Sequence, residues 1–208
     1  MIWPLLCCFV LIGVVRGQEC RLKQNAPSKP VPALTQCYRY HTSACCVSGH
    51  DSVIRSKYES LFSSSCLREY SELENYFCIA CDPTEFEYVN EDTHTLRVCT
   101  DYANQLFNLD YSKCGIKMYV ENPKTKTDPG ALWEIGVYNA SSSSNVVFPK
   151  LVFASAQAFL QHLLPPYFEG FTVQIVEGSD DEPCFTSNAA AMSNSIILLM
   201  IITILIKL

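Results

Sequence analysis

The stretch CYRYHTSACCVSGHD, residues 37–51, places two cysteines side by side, Cys45 and Cys46, eight and nine residues after Cys37. A disulfide wants its Cα atoms about 5.5–6 Å apart, whereas consecutive residues hold them about 3.8 Å apart. The two neighbours therefore cannot easily close a ring on each other. They reach in different directions and tie two other segments to one point, which makes residues 37–46 a hub of the fold.

That reading needs oxidised thiols, and the two ends of the chain bear on the compartment. Residues 2–15 are apolar apart from Gly13, no acid precedes Glu19, and Val15-Arg16 is followed by the small Gly17. The run is too short to span a bilayer comfortably and stands where a signal peptide stands, so residues 1–17 read as a signal cleaved after Gly17. The rival is a retained membrane anchor. At the other end Asn188, Ala189 and Ala190 lead through a short polar spacer into an apolar run of 11 residues, Ile196–Ile206, before Lys207-Leu208. A spanning helix needs about 20 residues, and a short apolar tail after small residues fits a glycolipid (GPI) attachment signal. Residues 189–208 read as its propeptide and Asn188 as the attachment residue, with Ser193 the alternative; a short tail anchor is the rival. The expected location is the extracellular face of the plasma membrane.

Residues 18–188 remain, one domain's worth of core. All 21 acids lie in this segment, and setting aside Arg16 and Lys207 leaves 13 of the 15 basic residues, a net charge of −8. Binding a phosphate backbone needs the opposite sign, so nucleic acid is not an expected partner.

Once Cys7 and Cys8 leave with the signal, ten cysteines remain: Cys20, Cys37, Cys45, Cys46, Cys66, Cys78, Cys81, Cys99, Cys114 and Cys184. An even number in an oxidising compartment reads as five bridges. Cys78-Ile79-Ala80-Cys81 has zinc-like or thioredoxin-like spacing, but there is no second such pair to complete a zinc site. Neither a metal nor a cofactor is expected.

Residues 21–36 carry Pro27, Pro30 and Pro32 and read as an irregular lead-in. Residues 51–63 read as a helix with Asp51 near its start, and Cys66, Tyr70, Leu73 and Phe77 recur at helical spacing over 66–81, stopped by Asp82-Pro83. Val98, Cys99, Tyr102, Ala103, Leu106 and Phe107 mark one apolar stripe and predict a helix over 95–109. Residues 116–120 and 171–176 alternate as strands do, 121–130 is a turn-rich loop, and 149–164 reads as a helix ended by Pro165-Pro166. Asn139-Ala140-Ser141 is an N-glycosylation acceptor, so Asn139 should face solvent. The expected fold class is α+β: a single disulfide-rich globular domain, mainly helical with a few short strands.

The order Cys20, Lys29-Pro30-Val31-Pro32, Gln36-Cys37, Ala44-Cys45-Cys46 resembles the opening of the folate receptor family, which includes riboflavin-binding proteins and Juno-like egg receptors. Cys66, Cys78, Cys81 and Asp82-Pro83 are similar to a later segment of the family. The resemblance implies a folate receptor-like fold and the pairs Cys20–Cys45, Cys37–Cys78, Cys46–Cys81, Cys66–Cys114 and Cys99–Cys184. The family commonly has six more cysteines, and it separates the two matched by Cys78 and Cys81 by three residues where this chain has two. Folate receptors hold a heterocyclic vitamin between aromatic rings, oriented by an aspartate, a sound use of stacking and a buried acceptor. By position the resemblance implies a pocket role for Tyr40, Asp51 and Tyr58; Trp133, the one tryptophan of the segment 18–188, is a further candidate. Read from the residues alone, Tyr40 is ordinary core beside the hub, Asp51 a helix N-cap, and Tyr58 a half-buried helix face. The family's tryptophan-rich pocket loop has no counterpart.

No G-x-S-x-G, H-E-x-x-H or P-loop pattern occurs. His41 and His50 flank the double cysteine, but a bridged thiol is no nucleophile; His94 stands apart, and His162, on an apolar helix, reads as core. Catalysis is not expected. Two roles follow: a GPI-anchored receptor for a small folate-like or flavin-like vitamin, or a folate receptor-like domain that has lost its pocket and recognises a protein in gamete or cell–cell contact.

Overall fold

A computed structural model describes residues 19–62, 69–111, 114, 116–119, 132–135, 149–179 and 181–187. The expected signal peptide, Cys66, the 121–130 loop, Asn139, Asn188 and Ser193 lie outside the described residues. The class is α+β, with α1 Ser48–Leu61, α2 Ser71–Phe77, β1 Val89–Asn90, β2 Thr95–Cys99, α3 Thr100–Asn108, β3 Ile116–Tyr119, β4 Leu132–Ile135, α4 Pro149–Val152, α5 Ala156–His162 and β5 Thr172–Val176. No helix among the described residues is long and apolar enough to cross a membrane.

Four disulfides join Cys20 to Cys45, Cys37 to Cys78, Cys46 to Cys81 and Cys99 to Cys184, the same pairs that the resemblance implies. Cys114 is also disulfide-bonded. The neighbours Cys45 and Cys46 do part company. One fastens the lead-in and the other fastens the 3-10 turn Ile79–Cys81 that follows α2. Cys45 adds a backbone bond, its N–H donating to the Cys81 carbonyl at 3.0 Å. Each bridge stabilises by roughly 2–4 kcal/mol, chiefly by restricting the unfolded chain.

Tyrosine does much of the packing. Tyr58, Tyr76, Tyr102 and Tyr111 are all but fully buried. A buried hydroxyl needs a partner, and each of these donates to a backbone carbonyl: Tyr58 to Tyr70 at 3.1 Å, Tyr76 to Leu160 at 3.0 Å, Tyr102 to Glu72 at 2.6 Å and Tyr111 to Leu106 at 3.1 Å. The rings thus fill the space between helices while the hydroxyls pin one element to the next.

The main sheet runs β1-β2-β5, with β1 antiparallel and β5 parallel to β2. The stripe that predicted a helix over 95–109 divides at Cys99: residues 95–99 are strand and the helix starts at Thr100. Leu96 and Val98 are buried between half-buried Thr95 and Arg97, a period of two that a helical stripe happens to overlap, and pairing with TVQIV of β5 decides the contest. The helix expected over 149–164 is broken as well. Ser155 caps α5, its Oγ accepting the Ala158 N–H at 3.2 Å, and so ends α4 before it. A second, two-stranded sheet pairs β3 with β4, placing Met118 opposite Trp133; β1 and β4 had no counterpart in the sequence reading.

Candidate functional site

The hub begins at Cys37 with a 3-10 turn, Tyr38–Tyr40, which points consecutive side chains in different directions. Tyr40 goes inward, 7% exposed, and its hydroxyl donates to Asp82 Oδ2 at 2.9 Å. The other oxygen of Asp82 accepts the backbone and side-chain donors of Thr84, both at 2.8 Å. Burial, with the Asp82 charge behind it, pushes the Tyr40 hydroxyl well above its ordinary range, so it stays a neutral donor. Arg39 lies over the Tyr40 ring at 5.3 Å and donates to the Ser187 carbonyl at 2.8 Å. Tyr38 goes outward, 62% exposed, and stacks on His41 with ring centres 4.7 Å apart.

Asp51 is 2% exposed and sits in the first turn of α1. It is not the N-cap: α1 starts at Ser48, and the cap position is Val47. Valine has no oxygen to offer, and the nearest substitute is His50 Nδ1, which accepts the Val47 N–H at 3.4 Å. The Asp51 carboxylate turns to the lead-in instead. Its Oδ2 accepts Thr35 N–H at 2.7 Å, Thr35 Oγ1–H at 3.0 Å and Gln36 N–H at 3.1 Å, and its Oδ1 accepts Cys37 N–H at 2.8 Å. A carboxylate so occupied is a clasp between α1 and the hub. Nothing in the residue pattern announces this, because three of the four donors are backbone groups.

Tyr58 is fully buried rather than half-buried, packed between Phe62 and Phe77 with ring centres at 5.1 and 5.6 Å. Its hydroxyl is spent on Tyr70. Trp133 lies on β4, where the backbone is described and the side chain is not. Tyr40, Asp51 and Tyr58 therefore occupy three separate settings, each with its polar atoms used by the protein. His162 is exposed, against Phe153, rather than core.

Around Tyr40 a polar fringe remains. Arg39 Nη1 and Glu72 Oε2 are buried and have no hydrogen-bond partner among the described residues. Arg39 and Glu72 both act on the Tyr102 hydroxyl. Phe185 fills the space between Tyr88 and Tyr102, 5.4 Å from each ring.

A second buried centre, missed in the sequence, lies across the hub. Glu85 is 1% exposed. Its Oε1 accepts the Arg21 backbone N–H at 2.8 Å and its Oε2 has no partner among the described residues. Burial pushes the carboxyl up to about 7, against the opposing pull of Arg21. The Arg21 guanidinium covers the Phe168 ring at 4.3 Å, donates to the Tyr167 carbonyl at 2.6 Å, and pairs with Glu91 at 3.0 Å. Cys20, Cys45 and Glu85 lie within 4.8 Å of one another, but the two sulfurs are bonded to each other and offer no thiolate to a metal.

No family model, no curated protein and no solved structure matches this chain.

Proposed function

We propose that the chain is a non-catalytic, GPI-anchored surface protein with a folate receptor-like scaffold, and that it recognises another protein by its surface rather than a vitamin in a pocket. The supporting observation is the commitment of Tyr40, Asp51 and Tyr58 to the fold: each is buried, and their oxygens are bound to separate partners, Asp82, the backbone of residues 35–37 and Tyr70. The disulfides favour an oxidising compartment. Purified residues 18–188, titrated with folic acid and riboflavin while tryptophan fluorescence is followed, are expected to give no saturable change at micromolar ligand. Saturable binding of the same domain to intact cells, abolished by trypsin treatment of those cells, is the expected positive result.

A second reading, the small-vitamin receptor, has one observation in its favour. Arg39 Nη1 and Glu72 Oε2 near Tyr40, without a partner among the described residues, are a donor and an acceptor that a small polar heterocycle could satisfy. Saturable binding of either vitamin, lost in Arg39→Ala, would replace the first reading with this one.

A further inference from the structure

The last described segment of the chain is fastened to the domain, not trailing from it. Cys184 is bonded to Cys99. Phe185 is buried and bridges Val98 in parallel, its N–H donating to the Arg97 carbonyl at 2.9 Å and its carbonyl accepting the Cys99 N–H at 3.0 Å. Ser187 is held through its carbonyl by Arg39. Because the bridge is parallel, the chain leaves in the forward direction of β2, past Cys99 and away from the exposed turn Glu91–His94 that precedes the strand. Three residue steps along β2 separate Thr95 from Val98, the level at which Phe185 bridges it; at about 3.3 Å each, the exit stands roughly 10 Å from the start of the strand.

If the lipid is attached at Asn188, a reading this inference rests on, it follows Ser187 with no stalk between. Beside that exit stands the Tyr38–His41 turn: an exposed tyrosine stacked on an exposed histidine, with Arg39 between them in sequence. Tyrosine settles at the headgroup level of a bilayer. We infer that in the anchored protein the Tyr38–His41 face lies in the headgroup layer of the bilayer, so that the Glu91–His94 turn is the pole presented outward. The net charge of −8 on residues 18–188 suits an outer leaflet of zwitterionic lipid rather than an anionic one.

The test uses the full chain, purified from cells with its anchor and reconstituted in phosphatidylcholine vesicles doped with brominated phosphatidylcholine. Tyr38→Trp and Asp92→Trp place a reporter at each pole, and the unsubstituted protein supplies the Trp133 background. Bromine quenching is expected to be on the order of threefold stronger at position 38 than at position 92. It should vanish when phosphatidylinositol-specific phospholipase C frees the protein. Equal or reversed quenching in protein that the phospholipase does release would overturn the orientation and leave the anchor reading standing. Protein that is never membrane-bound, or that the phospholipase does not release, would overturn the anchor reading, and the orientation with it.

Discussion

The N–H of Cys37 donates to Asp51 Oδ1 at 2.8 Å, and so the first residue of the hub is held by the first turn of α1 before any sulfur is counted. The same carboxylate gathers Thr35 and Gln36 on its other oxygen. Three consecutive backbone amides are thereby bent around one side chain, and Cys37 is presented to Cys78.

Removing that carboxylate strands the buried Cys37 N–H and the part-buried donors of Thr35 and Gln36. Asp51→Ala is expected to cost about 2–4 kcal/mol, since an unsatisfied buried donor costs about 1–3 kcal/mol and the part-buried ones less, and Asp51→Asn less, since its carbonyl oxygen still accepts while its amide does not. Urea unfolding of residues 18–188 with disulfides intact measures both. A loss under about 1 kcal/mol for Asp51→Ala would mean that the clasp contributes little beyond an ordinary hydrogen bond.

The hub and its divergent bridges were legible from two adjacent letters, because covalent geometry disfavours the alternative. β3 and β5 were legible because alternation over a short run is local information. What was not legible is set by distant partners. Thr95–Cys99 reads as helix until β5 arrives beside it, and the two residues of β1 are strand only because β2 pairs with them. The roles of Asp51 and Glu85 depend on backbone amides from other segments. Tyr58 could be placed on a helix face, but not the depth at which Phe62 and Phe77 enclose it.

Tyr40 and Tyr58 offer a paired comparison. Tyr58→Phe removes a hydroxyl that serves one carbonyl and is expected to cost about 1 kcal/mol. Tyr40→Phe also deprives a carboxylate oxygen of Asp82 of its donor and is expected to cost more, about 1.5–3 kcal/mol, as for hydrogen bonds to charged groups. The order of the two, read from denaturant midpoints, is the check; reversal would show that Asp82 Oδ2 finds solvent readily.

Glu85 makes stability depend on pH in an unusual direction. Its folded value of about 7 lies above the ordinary 4.5. Between those values the folded chain keeps a proton that the unfolded chain has released, so this group's contribution is fully present below about pH 4.5 and is lost as pH rises through 7. Glu85→Gln removes the titration while keeping an acceptor for the Arg21 N–H. Relative to the variant, the unsubstituted protein should lose on the order of 2–4 kcal/mol between pH 4.5 and 8. Taking the difference cancels Glu87, whose burial acts in the same direction, and His50, whose lowered value acts in the opposite one. Thermal unfolding across that range measures it, and parallel curves for the two proteins would refute the assignment.

Among the described glycines, Gly178 is the one least able to carry a side chain. Its φ of +78° lies in the left-handed region, and a Cβ built there would stand 2.6 Å from Cys184 Sγ and 3.6 Å from Cys99 Sγ. Both the backbone and the bridge would have to shift, and the bridge is what precedes buried Phe185 and the segment that Arg39 holds. Gly178→Ala is expected to destabilise by about 2–4 kcal/mol, combining left-handed strain with overpacking. It should also lower the yield of the Cys99–Cys184 pair in non-reducing peptide maps while leaving Cys20–Cys45 and Cys46–Cys81 intact, since those close around the hub. A variant with full stability and a complete map would show that the 177–179 turn relaxes without disturbing the bridge it touches.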